Sequence, residues 1–532
     1  LTERRVRGAW LAGCALGLAA CACTAIGASA QTGLTTTSLS FPDDGPGVDK
    51  NGDTIMTRQQ EKELLNSVDT VMGFVSKDTG LPAVPHVKRR LISRDEVNRY
   101  LIKNFDEDES SKRLQRSEIV LKKFGLLAND FALRPFLLSL LTEQIAGFYD
   151  DKTKAVNLLN WVGADVQKPV LAHELTHAVQ DKKVGLEKWS EDGLHGNSKN
   201  AAEDNERVAV DELETARQAV AEGQAMLVFL DWSIQEQSDG KDKRTLAESP
   251  ELWDKVKDEA TDTTGSPVMA RAPLVLQRSL AFPYVDGLAF EHTLAMQAGG
   301  WKTGGQKLAF TGALEHPPNS SFEIMTPEAY LSHAPVPVLR LPDVHPLLDA
   351  DYEPYDVGVM GELDVEMMGS LFGGPEIGKS LAPEWNGGVY YAGQRKDAPD
   401  KKSTASLGIF YLSRWKAAEA ATGFARLYEA QLARKYEKVV ERKQDETDSR
   451  ELVYTTDEGD VLISRSGTSL FIAEGFPLAI ERKLRDSADE AQATGPVRLA
   501  AGPELTFGLA QVLSRFGVLK CVLDTGKHIS LF

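Results

Sequence analysis

From Thr57 onward the chain alternates apolar stripes with polar breaks. Residues 57–76 carry Leu64, Leu65, Val68, Val71, Met72 and Val75 at helical spacing, which predicts an amphipathic helix. Ser93 and Glu96 have capping-box spacing and predict the start of another. A longer helical stretch covers 111–128, and Pro135 suits the first turn of the next helix. The pattern changes at 144–149. These residues, the polar turn 150–154 and the apolar run 155–161 read together as a β-hairpin. A helix over about 165–182 follows, with Pro169 in an early turn, and then a polar loop over 186–204. One long helix is predicted from about 205 to 237. Its second half is apolar on most faces, the mark of a buried helix.

Beyond it, 238–267 reads as polar and weakly ordered, 286–300 and 303–312 as helices, and 313–350 as Pro-rich irregular chain. Residues 352–376 and 403–435 read as helices again. Short apolar runs at 453–455, 461–464 and 469–473 predict a small sheet. The expected fold class is therefore α+β, predominantly helical. With 532 residues the chain exceeds one ordinary core. We expect one unit over 56–350. Residues 351–532 form either a separate region or the other wall of the same unit.

The first thirty residues change this picture. Arg4, Arg5 and Arg7 precede a small and apolar run from Trp10 to Ile26, and Ala28-Ser29-Ala30 follows. That order is the one expected of a secretory signal peptide over 1–30, with 31–55 as a flexible Ser/Thr/Gly/Pro linker. Leu18-Ala19-Ala20-Cys21 resembles a lipobox. Lipidation at Cys21 and cleavage after Ala30 both stay open, and either places the mature protein outside the cytoplasm: periplasmic, secreted or an outer-membrane lipoprotein. Cys521 is the only cysteine beyond the leader, so no disulfide is expected in the mature chain. The net charge of −18 argues against a nucleic-acid partner. Contact with a membrane is expected only through the candidate anchor.

The chemistry concentrates in His173-Glu174-Leu175-Thr176-His177. On a helix, positions i and i+4 share a face, so two imidazoles can reach one metal ion. Glu174, beside the first ligand, can take a proton from water at that ion. A catalytic zinc needs a third protein ligand. Gln180 and Lys183 exclude the extended motif with a third histidine. Glu222 is the best candidate, since it lies in the most apolar part of the long helix and a buried carboxylate needs a cation. Gly223 beside it would let another helix approach closely. Glu212 and Glu214 are runners-up with the look of surface residues, and His195 in the intervening loop reads as incidental.

The HELTH motif on one helix and Ala221-Glu222-Gly223 on the next resemble the gluzincin clan of metallopeptidases, the thermolysin-like zincin architecture. The stretch from Glu143 to Asp150 with Lys152-Thr153-Lys154, and that from Pro317 to Met325 with Pro327-Glu328-Ala329-Tyr330, are similar to segments of a bacterial secreted or lipoprotein branch. The resemblance implies one Zn2+ per chain on His173, His177 and Glu222, with Glu174 as general base. It also implies an edge strand at Gln144, Ile145, Ala146, Gly147, Phe148 and Tyr149 that holds a peptide or protein substrate. Met226 stands where the clan often carries an acid that buttresses a histidine, so that buttress must come from elsewhere. Tyr330, His316 and His292 are candidates for stabilising the transition state from the far wall. The expected activity is hydrolysis of peptide bonds. The rivals are a non-catalytic cell-envelope binding or assembly protein with a structural or vestigial zinc, and hydrolysis of a non-peptide substrate.

Overall fold

A capping box starts the first long helix. Thr57 Oγ1 accepts from the Gln60 amide at 3.2 Å and Gln60 Oε1 accepts from the Thr57 amide at 2.9 Å, so two unpaired donors are satisfied reciprocally. Helix α1 (Arg58–Thr79) then buries Leu64, Val68, Val71, Met72 and Val75 along one stripe and ends at Gly80, whose φ of 70° suits a residue without a side chain. The computed structural model describes residues 47–50, 54–107, 109–186, 189, 198–238, 240–259, 266–497 and 499. The expected leader 1–30 with Cys21, residues 31–46 of the expected linker, His195 and Cys521 lie outside the described residues. The last part of that linker pairs as β1 (Gly47–Val48) with β2 (Thr54–Ile55).

Strand β3 (Lys88–Ile92) leads into α2 (Arg94–Glu107), which opens on the expected Ser93–Glu96 box. Helices α3 (Glu109–Lys123) and α4 (Leu133–Gln144) follow, and then the hairpin β4 (Gly147–Asp150) and β5 (Ala155–Leu159). The strand starts later than the sequence suggests. Gln144 is the last residue of α4 and is buried with Leu140 and Leu141, and the Ile145 amide still bonds to the Leu141 carbonyl. The hairpin turn is set by Asp150 Oδ1, which accepts from the amides of Lys152 and Thr153. The three strands lie in the order β3-β5-β4, with β3 parallel and β4 antiparallel to β5, so β4 is an edge.

Helix α5 (Ala164–Val184) carries the HELTH motif and packs against both α1 and α7. The expected single helix over 205–237 is two helices, α6 (Ala201–Val210) and α7 (Leu213–Gln237). At the break, Asp211 Oδ2 accepts from the Val359 amide at 2.8 Å, and Glu212 bonds the Ser321 hydroxyl. The junction is therefore pinned to distant chain. Glu214 is 1% exposed, so it is a core residue and not the surface residue its charged surroundings suggest. Residues 238–267 contain α8 (Pro250–Glu259), and α9 (Leu274–Ala295) begins twelve residues before the expected 286. The predicted helix at 303–312 is an irregular run that ends in a π turn at Leu308–Gly312.

The C-terminal half departs most from expectation. Residues 352–376 divide into β6 (Tyr352–Val359) and α10 (Glu362–Gly373), and α11 (Pro375–Leu381) follows. Then come β7 (Trp385–Arg395), β8 (Leu407–Trp415) and α12 (Ala418–Lys435). With β9 (Val439–Glu441), β10 (Glu451–Thr456), β11 (Gly459–Ser466) and β12 (Ser469–Glu474), a seven-stranded antiparallel sheet runs β6-β7-β8-β12-β11-β10-β9. Helix α13 (Leu478–Ala493) closes the described fold. The small sheet is thus a large one. Strand β8 is apolar from Leu407 to Leu412 because both its faces are covered, and such a run has no period to separate it from a helix. Ile409 and Tyr411 face Phe424 and Tyr428 of α12, in a core continuous with Leu64, Leu175 and Val220. Phe410 and Leu412 face Leu484 and Ala488 of α13 in a second core. No helix among the described residues is long and apolar enough to cross a membrane.

Helices α7 and α9 cross at Gly223 and Gly287. A Cβ on Gly223 would stand 2.3 Å from the Gly287 carbonyl, and one on Gly287 would stand 2.1 Å from the Ala219 carbonyl. The close approach expected at Gly223 is therefore present. Replacing Gly223 by Ala would gain about 1 kcal/mol of helix propensity on an open helix. Here we expect overpacking to outweigh it, with a net loss of about 1–2 kcal/mol. A thermal melt in which Gly223→Ala is as stable as the parent would contradict this crossing.

Candidate metal centre

Helix α5 presents His173 and His177 on the face turned to α7, and α7 presents Glu222 back to them. His173 Nε2 and His177 Nε2 are 3.1 Å apart, with their rings at 80° to each other. Glu222 Oε2 lies 3.1 Å from His173 Nε2 and 3.5 Å from His177 Nε2. At a tetrahedral ion with bonds of about 2.0–2.1 Å, neighbouring ligand atoms stand about 3.3 Å apart. The three donors already form a triangle of that size, and the group could hold a metal ion. His173 and Glu222 are buried, and His177 keeps part of its ring exposed. Among the described residues no other cluster of three histidine, cysteine or acidic side chains has this arrangement.

Charge is balanced within the group. Burial would depress the His177 imidazole, but the Glu222 charge and hydrogen bond outweigh it, with help from Glu174 and Gln180, and hold the pKa up at about 9. Burial, reinforced by the His177 charge, holds His173 down at about 4 despite its bond to Glu222. Burial works against the Glu222 carboxylate, but the two imidazoles prevail and keep it at about 2. Glu174 is pushed up to about 7, first by burial and then by the Glu222 charge. Its Oε1 is buried without a hydrogen-bond partner. In the metal-free chain these opposing shifts favour a proton on His177, paired with an ionised Glu222.

The hairpin is fastened to this helix. The Tyr149 backbone lies beside the Glu174 carboxylate, and the Tyr149 hydroxyl donates to Asp181 at 2.8 Å. Lys154 pairs with the same Asp181 oxygen at 2.6 Å. Gln167, fully buried, donates to the Ala146 carbonyl and accepts from the Leu159 amide, both at 3.2 Å. Of the residues expected in the edge strand, Gly147, Phe148 and Tyr149 lie in β4, and Gln144, Ile145 and Ala146 precede it.

The far-wall candidates are engaged elsewhere. The Tyr330 hydroxyl donates to the His316 carbonyl at 2.8 Å, and its ring meets Phe290 edge-on. The His316 side chain is exposed. His292 stacks face to face on Trp253, with ring centroids 3.9 Å apart. The runner-up ligands stand apart as well, Glu212 being bonded to Ser321. Sequence reasoning missed two neighbours of the imidazoles. Tyr284 of α9 lies nearly parallel to His173 at 6.3 Å between centroids. Gln180 Oε1 lies 2.9 Å from His177 Nδ1. The second was readable in principle, because position 180 is three residues from His177 and shares its helix face. His173 Nδ1 is buried without a well-formed hydrogen bond, and the Ala225 carbonyl is the acceptor beside it.

No protein-family model, curated protein or solved structure matches the chain.

The proton on His177 sets the pH dependence of metal binding. Its folded pKa of about 9 is raised, so at lower pH an incoming cation must displace that proton. Apparent affinity is expected to rise about tenfold per pH unit toward 9 and then to level off. Calorimetry in buffers of different ionisation enthalpy should show about one proton released per metal bound at pH 7. Uptake without proton release would contradict the His177–Glu222 pairing.

Proposed function

We propose that the chain is a zinc-dependent peptidase of the HExxH type, with His173, His177 and Glu222 holding the ion and Glu174 as the general base. The observation that carries this reading is the convergence of three donor atoms from two neighbouring helices, with a fourth acid next to the first ligand, one of whose oxygens is buried without a hydrogen-bond partner. The donor set of two imidazoles and one carboxylate suits zinc and leaves a fourth position open. When bound, zinc supplies Lewis acidity and lowers the pKa of water at that position. The rest is work for the chain's own groups. Glu174 Oε1 accepts a proton from the attacking water, and the raised pKa of this carboxyl suits a group that must then give the proton up. It delivers it to the leaving nitrogen as the C–N bond breaks.

Among the described residues strand β4 has β5 as its one neighbouring strand, which leaves its other side for an extended peptide by strand addition. Gly147 and Tyr149 lie against Glu174, so a chain bound there would pass the base. This supports the clan-level resemblance to thermolysin-like zincins and a peptide or protein substrate. We further propose that the protein acts outside the cytoplasm, on the strength of the leader in residues 1–30.

One observation favours a second reading, a cell-envelope binding or assembly protein with a structural zinc. His173, Glu174 and Glu222 are all buried, as in a closed site. A chelator separates the two, since loss of a structural zinc unfolds the chain, whereas a catalytic zinc leaves with most of the fold intact.

Purified protein is expected to carry one zinc per chain, and His173→Ala to carry almost none. Glu174→Gln is expected to keep the zinc and to lose about 100-fold or more of its peptide-cleaving rate. Metal retained in His173→Ala, measured by elemental analysis, would sink the ligand assignment. Full activity in Glu174→Gln would sink the mechanism.

A further inference from the structure

A ligand imidazole is useful only in one tautomer. The ring must carry its proton on Nδ1 for the Nε2 lone pair to face an ion. His177 Nδ1 meets the Gln180 side chain at 2.9 Å. A carboxamide can offer either its oxygen or its nitrogen there by turning over, and the nitrogen would select the wrong tautomer. What decides is the other side of the amide. Gln180 Nε2 lies 2.9 Å from the Ala221 carbonyl and 2.9 Å from Gln224 Oε1, two acceptors for its two protons.

Gln224 is held in turn. Its Nε2 lies 2.8 Å from the Ala309 carbonyl and 3.2 Å from the Phe310 carbonyl, both in the π turn, with Glu291 Oε1 at 3.5 Å. Main-chain carbonyls cannot donate, so the direction of the whole chain is fixed from that end. Donors run from His177 to Gln180, from Gln180 to Gln224, and from Gln224 to the turn. Gln180 and Gln224 are both fully buried, so water cannot replace a broken link. The wider π turn aims two successive carbonyls at one side chain, and such turns gather at functional sites.

We propose that Gln180, locked by Gln224 and the π turn at Leu308–Gly312, is the positioning residue of the metal centre: it fixes the His177 ring with Nε2 toward the ion. This inference rests on the metal-binding reading above. It extends that reading from the three ligands to a relay that spans α5, α7 and the turn after α9.

Three variants separate positioning from simple bracing of the helices. Gln180→Met keeps the length of the side chain and removes both polar ends. It is expected to weaken zinc binding about 10–100-fold in chelator competition, with a lowered melting temperature. Gln180→Glu keeps an acceptor for Nδ1–H and loses both donor bonds. It is expected to melt lower yet to recover most of the affinity. Gln167→Met, which breaks two buried bonds of the same helix away from the imidazoles, is expected to melt lower and to bind zinc as the parent does. Wild-type affinity in Gln180→Met overturns the relay, as does equal loss of affinity in Gln180→Glu and Gln180→Met. Should Gln180→Met not fold, nitrogen-15 NMR of the His177 ring in the zinc-loaded parent decides. A proton on Nδ1 supports the relay, and a proton on Nε2 overturns it. A parent chain that takes up no zinc overturns the metal reading itself, and the relay with it.

Discussion

The structure turns on the packing of α5 against α7, which brings two imidazole nitrogens and one carboxylate oxygen within 3.1–3.5 Å of one another. Burying Glu222 alone would cost several kcal/mol. The two imidazoles compensate it, and a proton on His177 stands where an ion could bind. The surroundings serve this contact. Gly223 and Gly287 let α9 lie directly on α7 behind Glu222. Gln167, Tyr149 and Asp181 bind the hairpin to α5 so that the edge strand cannot drift from Glu174.

The C-terminal sheet is part of the same construction. Its strands alternate side chains into two cores, and one of these is continuous with the core around α1, α5 and α7. The α6–α7 junction is held by bonds from Asp211 to Val359 and from Glu212 to Ser321. The helix that carries Glu222 is thus anchored at its start by chain more than 100 residues away. Glu474 shows a similar economy within the sheet. It is fully buried, but Lys435, Tyr428 and Tyr436 all bond to it.

Local signals were legible where local physics decides. The Ser93 capping box, the stripe of α1, the hairpin turn and the HELTH helix all appear where short-range patterns put them. The convergence of Glu222 on the histidines was legible because an acid in an apolar stretch of helix calls for a cation. The strands β6 and β8 were read as helices; β8 is buried along nearly its whole length and shows no period, whereas β6 is a half-exposed edge strand without clean alternation. The break at Asp211 was missed because both acids there find their partners far along the chain.

The sequence by itself determined the elements and the donor types: a buried helix with two histidines one turn apart, a base next to the first, and a buried acid 45 residues after the second. Spacing along a helix is enough for that. Only the tertiary structure decided what faces the outer nitrogens of those imidazoles. Gln180 meets His177 because its amide is turned by Gln224, and Gln224 is turned by carbonyls that lie some 85 residues further on. An amide has two faces of nearly equal shape, and which one it shows depends on partners that no local pattern contains.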